Sequence, residues 1–145
     1  MTEPSRRKPM AEQSTELRIA IMRLARRMRL QRDAELSATQ FSALSWVVAE
    51  GPMTPGRLAE VEQVTPPSMN RTVNCLAEAG LVTREGSPDD GRKVLLRATD
   101  QGTAVVRETL RRRETWFAKR FAALSPDERA VLVSATDILR RFADQ

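Results

Sequence analysis

A chain of 145 residues, 41% of them hydrophobic, has the length and composition of one folded domain with a moderate core. Its net charge of +5 and sequence pI of about 10.5 favour a polyanionic partner. One cysteine and no histidine exclude an internal disulfide framework and remove the usual zinc ligands, and no apolar run approaches the roughly 18 residues of a membrane span. No metal, cofactor or membrane partner is therefore expected. Arg6-Arg7-Lys8 is not followed by the uncharged core of a signal peptide, so the cytoplasm is the expected location.

Residues 1–12 read as a flexible basic arm, with prolines, three consecutive cations and little to bury. From about Gln13 to Ala34 the positions Leu17, Ile21, Leu24 and Met28 form one helical stripe, opposite Arg18, Arg26, Arg29 and Arg32. Those arginines are either a solvated face or phosphate contacts. Ser37 and Gln40 make a capping box for a helix packed by Phe41, Leu44, Trp46, Val47 and Val48, which ends near Glu50-Gly51-Pro52.

Thr54-Pro55 opens a short helix with Leu58, Ala59 and Val61 as apolar positions, broken at Gln63-Val64. Thr65 caps the next helix and Pro66 takes its first position, where a missing N–H costs nothing. This helix runs to Ala79, and Gly80 supplies a left-handed stop. At about 100° per residue Met69, Val73 and Leu76 share one face, with Pro67, Arg71, Asn74 and Glu78 opposite and Ser68, Asn70 and Cys75 on the flanks. Two short helices joined by a tight turn read as helix-turn-helix, and the free face carries side chains that reach base edges or phosphates.

Leu81 to Glu85 and Val94 to Thr99 read as two strands joined by Gly86-Ser87-Pro88-Asp89-Asp90-Gly91, a hairpin wing. Its tip sets Arg92 and Lys93 beside Asp89 and Asp90, so that a cation enters a minor groove while a carboxylate holds its guanidinium. Thr99 caps a long helix with Val106, Leu110, Phe117 and Phe121 along one side and Arg107, Arg111, Arg112 and Arg113 elsewhere on its surface. Ser125-Pro126-Asp127-Glu128 starts the last helix, whose Val131, Ala135, Ile138 and Phe142 repeat like a heptad seam widened by Leu132 and Leu139. So wide a stripe is expected to meet a second subunit; the alternative is closure on the chain itself. The expected fold is mainly α with a small β-hairpin wing: a winged helix-turn-helix core over about 37–99, flanked by dimerisation helices over about 13–34 and 100–143.

Leu58-Ala59, Leu76 followed by Gly80-Leu81-Val82 and Arg84, Asp90-Gly91-Arg92, and Ala98-Thr99 ahead of Gly102 together resemble the MarR family of bacterial winged helix-turn-helix regulators. The resemblance extends over nearly the whole chain. It implies a homodimer on a pseudo-palindromic double-stranded DNA operator, most often a repressor, released by a small aromatic or anionic effector or by oxidation. Arg92 and Asp90 stand at the arginine and the acid of the family's wing, and Arg84 at its basic strand residue, pairing with a wing carboxylate or a phosphate. DNA contacts are expected from Thr65, Pro67, Ser68, Asn70, Arg71, Asn74, Arg84, Asp90, Arg92 and Lys93. Trp46, Arg112, Trp116 and Phe117 are candidates for an effector cleft, with core packing as the alternative for the aromatics. Leu17, Ile21, Val131, Ile138, Leu139 and Phe142 are expected at the dimer interface. Cys75 is expected to be a small packing residue. The competing function is a winged-helix module that docks on a protein. Catalysis is excluded by the lack of histidine, of a phosphate-cradling glycine loop and of a nucleophile with its base.

Overall fold

The computed structural model describes residues 8–32 and 35–144. In chain order the elements are α1 (Met10–Arg29), α2 (Ala38–Glu50), α3 (Pro55–Val61), α4 (Pro66–Glu78), β1 (Val82–Gly86), β2 (Val94–Ala98), α5 (Asp100–Ala122) and α6 (Pro126–Ala143). Five of the six helices start where a side-chain cap dictates. Ser37 and Ser125 form complete capping boxes with Gln40 and Glu128, and the hydroxyls of Thr54, Thr65 and Thr99 accept the backbone N–H of Arg57, Ser68 and Gly102.

The first helix differs from expectation. It begins at Met10, inside the stretch read as an arm, with Pro9 leading in and Glu12 in the first turn, where a carboxylate complements the helix dipole. Lys8 pairs with Glu16 and lies 3.7 Å from Glu12, so the charges near the boundary reinforce the helix. The cations Arg6 and Arg7 lie outside the described residues, as do Asp33 and Ala34 at the expected end of this helix.

The core lies within the winged unit. Phe41, Ala43, Leu44 and Val47 of α2, Leu58 and Ala59 of α3, and Met69, Val73 and Leu76 of α4 close around Leu81, Val82, Leu96 and Val106. By contrast, α1 and α6 contain no buried residue. The hairpin is antiparallel with Val82 opposite Ala98 and Gly86 opposite Val94. Met53 adds a third, single-residue rung, exchanging backbone hydrogen bonds with Leu96 at 3.1 and 2.7 Å. Nothing in the apolar pattern marks that rung, because one residue carries no period.

Two joints position the reading helix. Between α3 and α4 the chain turns at Gln63 with φ +54°, a left-handed conformation that a side chain adopts at some cost. After α4, Gly80 turns at φ +72° and delivers Leu81 to Thr99, whose N–H donates to the Leu81 carbonyl (3.0 Å) and whose hydroxyl donates to that of Gly80 (2.7 Å). Gly102 sits so close that a Cβ there would stand 2.1 Å from the Leu81 carbonyl oxygen. The end of α4 and the start of α5 are thereby fastened together.

Candidate nucleic-acid interface

Helix α4 divides cleanly into two faces. Met69, Val73 and Leu76 are 1%, 0% and 1% exposed, while Pro67, Asn70, Arg71, Asn74 and Glu78 are exposed on the other side. Burying three large apolar side chains contributes about 1.5–3 kcal/mol each and fixes which face is left free. Arg71 makes no ion pair or hydrogen bond through its guanidinium among the described residues. Thr65 and Ser68 have other duties: the Thr65 hydroxyl accepts the Ser68 N–H at 3.4 Å, and the Ser68 carbonyl accepts the Thr72 hydroxyl at 3.3 Å.

Asp90 is engaged differently from expectation, and Arg84 does not take the wing carboxylate, one of its two expected partners. Asp90 does not hold a guanidinium: its Oδ1 accepts the backbone N–H of Arg92 at 3.1 Å, and its carbonyl accepts the Lys93 N–H at 2.9 Å. A short acidic side chain two residues ahead reaches its own backbone more readily than a long, mobile guanidinium. Arg92 and Lys93 are left exposed at the tip, which a Ser87 N–H to Lys93 carbonyl bond of 2.8 Å closes. Arg84 pairs with neither a wing carboxylate nor another acid, and instead its Nη2 donates to Oδ1 of Asn74 on α4 at 2.6 Å. Arg97 on β2 takes the wing carboxylate instead, bonding Glu85 at 3.0 Å.

Cys75 corrects another expectation, since it is exposed rather than packed. It follows Asn74 on α4 and lies about 100° from it around the helix, outside the stripe of Met69, Val73 and Leu76.

The proposed cleft residues are not brought together. Trp46 is half-buried against the winged core, Trp116 stacks under the Arg120 guanidinium at 3.8 Å, and Arg112 is committed to Glu108 at 3.0 Å. Hydrogen bonds from Arg111 and Arg112 hold the Glu108 carboxyl down to about 2. Phe117 borders an apolar groove shared with Met28 and Phe121. A different cleft, of about 280 Å³, opens between α1, α2 and α5, where Phe41, Ser42, Ser45 and Leu110 meet Arg29, Arg32 and Arg113. Arg113 lies 4.6 Å over the Phe41 ring, and its buried Nε has no hydrogen-bond partner. Burial, and then the like charges of Arg32 and Arg29, push its guanidinium below the usual value. The sequence carried a sign of this: Arg113 stands three residues after Leu110 and four before Phe117, in the apolar stripe of α5 rather than on its solvent side.

A free polar helix face beside a basic hairpin tip, on a frame of flanking helices, defines a winged helix-turn-helix protein. A model of the MarR family matches residues 36–94. An HTH-type transcriptional regulator of Mycobacterium bovis is 40% identical over 136 residues, which span 93% of this chain and 95% of that protein. The crystal structure of RV1404 from Mycobacterium tuberculosis superposes with a TM-score of 0.80 at 26% identity, covering 95% of this chain and 97% of that one. Streptococcus pneumoniae FabT, crystallised in complex with DNA, shares the fold with a TM-score of 0.71 at 21% identity, covering 92% and 97%. The chain belongs to the MarR family and is a helix-turn-helix transcriptional regulator, not an enzyme.

Proposed function

We propose that this regulator binds a pseudo-palindromic operator as a homodimer in the cytoplasm, with α4 in the major groove and the Arg92-Lys93 tip in the minor groove, and that it represses transcription. The observation that carries the proposal is the division of α4, which leaves Arg71 and Asn74 exposed while Met69, Val73 and Leu76 anchor the helix to the core. That FabT was crystallised with DNA on the same fold supports it. The dimer is supported by the apolar side chains left open on α1 and α6, among them Leu17 and Ile21 on the first and Val131, Ile138, Leu139 and Phe142 on the second. An aromatic carboxylate suits the cleft around Phe41 and Arg113 better than the residues expected from the sequence, because the ring finds an apolar wall and the anion relieves three crowded cations.

The test is a titration of duplex fragments selected from the source genome, over a salt series, with and without benzoate. Selected fragments should bind more tightly than scrambled ones, with log affinity falling by about 0.9 per phosphate contact for each tenfold rise in salt. Salt-insensitive or absent binding would overturn the DNA reading and leave the protein-docking module in its place. Benzoate should weaken DNA binding and be weakened by DNA to the same factor, an effect that Arg113→Met should abolish. Independence of the two ligands would remove the effector from the proposal while leaving the operator intact.

A further inference from the structure

Of the two arginines on the hairpin strands, Arg97 is neutralised by Glu85, whereas Arg84 has no ion pair among the described residues. Its one hydrogen bond runs out of the wing to the reading helix, from Nη2 to Oδ1 of Asn74 at 2.6 Å, across two exposed side chains. The chemistry of the pair fixes the orientation of the amide. A guanidinium has five N–H donors and no acceptor, so the amide atom that faces it must be the carbonyl oxygen. The two Nδ2 hydrogens then point away from Arg84 and have no partner among the described residues.

We infer that Arg84 is a specificity-determining positioning residue that acts through Asn74, turning its amide so that α4 presents its hydrogen-bond donors to DNA at this position. The inference rests on the DNA-binding function proposed above. A free asparagine reads adenine with both ends of its amide, accepting from N6 and donating to N7. With one lone pair of Oδ1 taken by Arg84 and a cation standing beside the other, the acceptor half of that reading is disfavoured against the donor half. What remains is Nδ2 beside the unused N–H groups of Arg84, a set of donors with a full positive charge behind it. Its complement is a group that only accepts, either a phosphate oxygen or the N7/O6 edge of guanine. Asn74 lies past the middle of α4, one turn from Arg71 on the same free face, so the pair extends the contact surface toward the wing.

The experiment is a double-mutant cycle on DNA affinity in the full-length protein, using duplexes selected by the wild type and repeating the selection with each variant. Both side chains are exposed, so Arg84→Ala, Asn74→Ala and the double variant should keep the wild-type melting temperature. The two single losses should fail to multiply, with the double variant binding about tenfold more tightly than independent losses would give. Arg84→Lys, which still donates to Oδ1, should recover part of the loss. Asn74→Asp keeps the bond to Arg84 but has no donors left and cancels the charge behind them, so it should bind DNA less well than Asn74→Ala. If the target is guanine, Arg84→Ala should admit adenine at one position of each half-site. If the target is phosphate, the loss should be uniform across sequences and lower the salt slope by about 1. Independent single losses, or adenine selected at that position by the wild type, would overturn the inference while leaving DNA binding standing. Failure of the wild type to bind any duplex would remove both.

Discussion

Arg71 and Arg92 stand on separate devices, and their loss should register in different ways. Helix α4 has 13 residues and is about 20 Å long, so its N-terminal half approaches base edges most closely, and Arg71 lies in that half. Arg71→Ala should cost about 1–3 kcal/mol of binding and relax preference at one position in each half-site. Arg92 projects from a tip whose backbone Asp90 holds, so Arg92→Ala should weaken binding most where the flank is A·T-rich and the minor groove narrow. Competition between selected and scrambled duplexes, with A·T-rich and G·C-rich flanks, separates the two; uniform losses for both variants would show that neither reads sequence. The residue scale also marks where sequence reasoning stops. The free face of α4 is legible from spacing alone, because Met69, Val73 and Leu76 must be buried together. The partner of Arg84 is not, because a guanidinium chooses among acceptors by distance, and the distance to Asn74 is set by how β1 packs on α4.

Elements were legible wherever their ends are decided locally. Thr65-Pro66, Thr99 and the Ser125 box each place a helix start within a residue or two, since a cap is satisfied by atoms three positions away. The start of α1 was misread because its first turn depends on Lys8, Glu12 and Glu16, a charge pattern that looks like the end of a polar arm. The caps give a prediction at this scale. Backbone and hydroxyl hydrogen bonds from Ser125 lower the Glu128 carboxyl from its usual 4.5. A group whose folded value is depressed adds its stability in full above the unfolded value and loses it as pH falls through the folded one. Amide exchange in α6 should therefore quicken as pH drops below 4.5, beyond the intrinsic pH trend, and Glu128→Gln should remove that extra acceleration. Ser125→Ala should open the same helix by about 1 kcal/mol at neutral pH. A wild-type pH response in Glu128→Gln would show that the box contributes nothing to α6.

For the whole molecule, apolar surface is divided unevenly: the winged unit closes on itself, while α1 and α6 contain no buried residue and leave Val131 65% and Phe142 69% exposed. Covering such side chains contributes about 1.5–3 kcal/mol each, which makes a second copy of the same stripes the natural cover. Sedimentation should give a dimer at micromolar concentration. Ile138→Glu with Phe142→Glu should shift it toward monomer and lower the melting temperature, which in the wild type should itself rise with protein concentration. A well-folded wild-type monomer at that concentration would overturn this assembly. The stripe was visible in the sequence as a heptad seam, but the three-arginine cleft was not, because Arg29, Arg32 and Arg113 are brought together only by the packing of α1 and α5 around α2.

The fastening at Thr99 has a mechanical consequence. Its hydroxyl donates to the Gly80 carbonyl and accepts the Gly102 N–H at 3.0 Å, and Gly102 leaves no clearance against Leu81. The joint therefore has no backlash. Arg113 rides on the same helix about 21 Å farther along, so α5 acts as a lever arm with its short end bolted to the reading helix. A tilt of about 5° corresponds to about 2 Å of travel at the arginine end, the size of helix shift that switching proteins use. At the Thr99 end the same tilt becomes a change in the pitch of α4. A Cβ at Gly102 would force Leu81 away from Thr99, so Gly102→Ala should loosen that linkage and lower the melting temperature together.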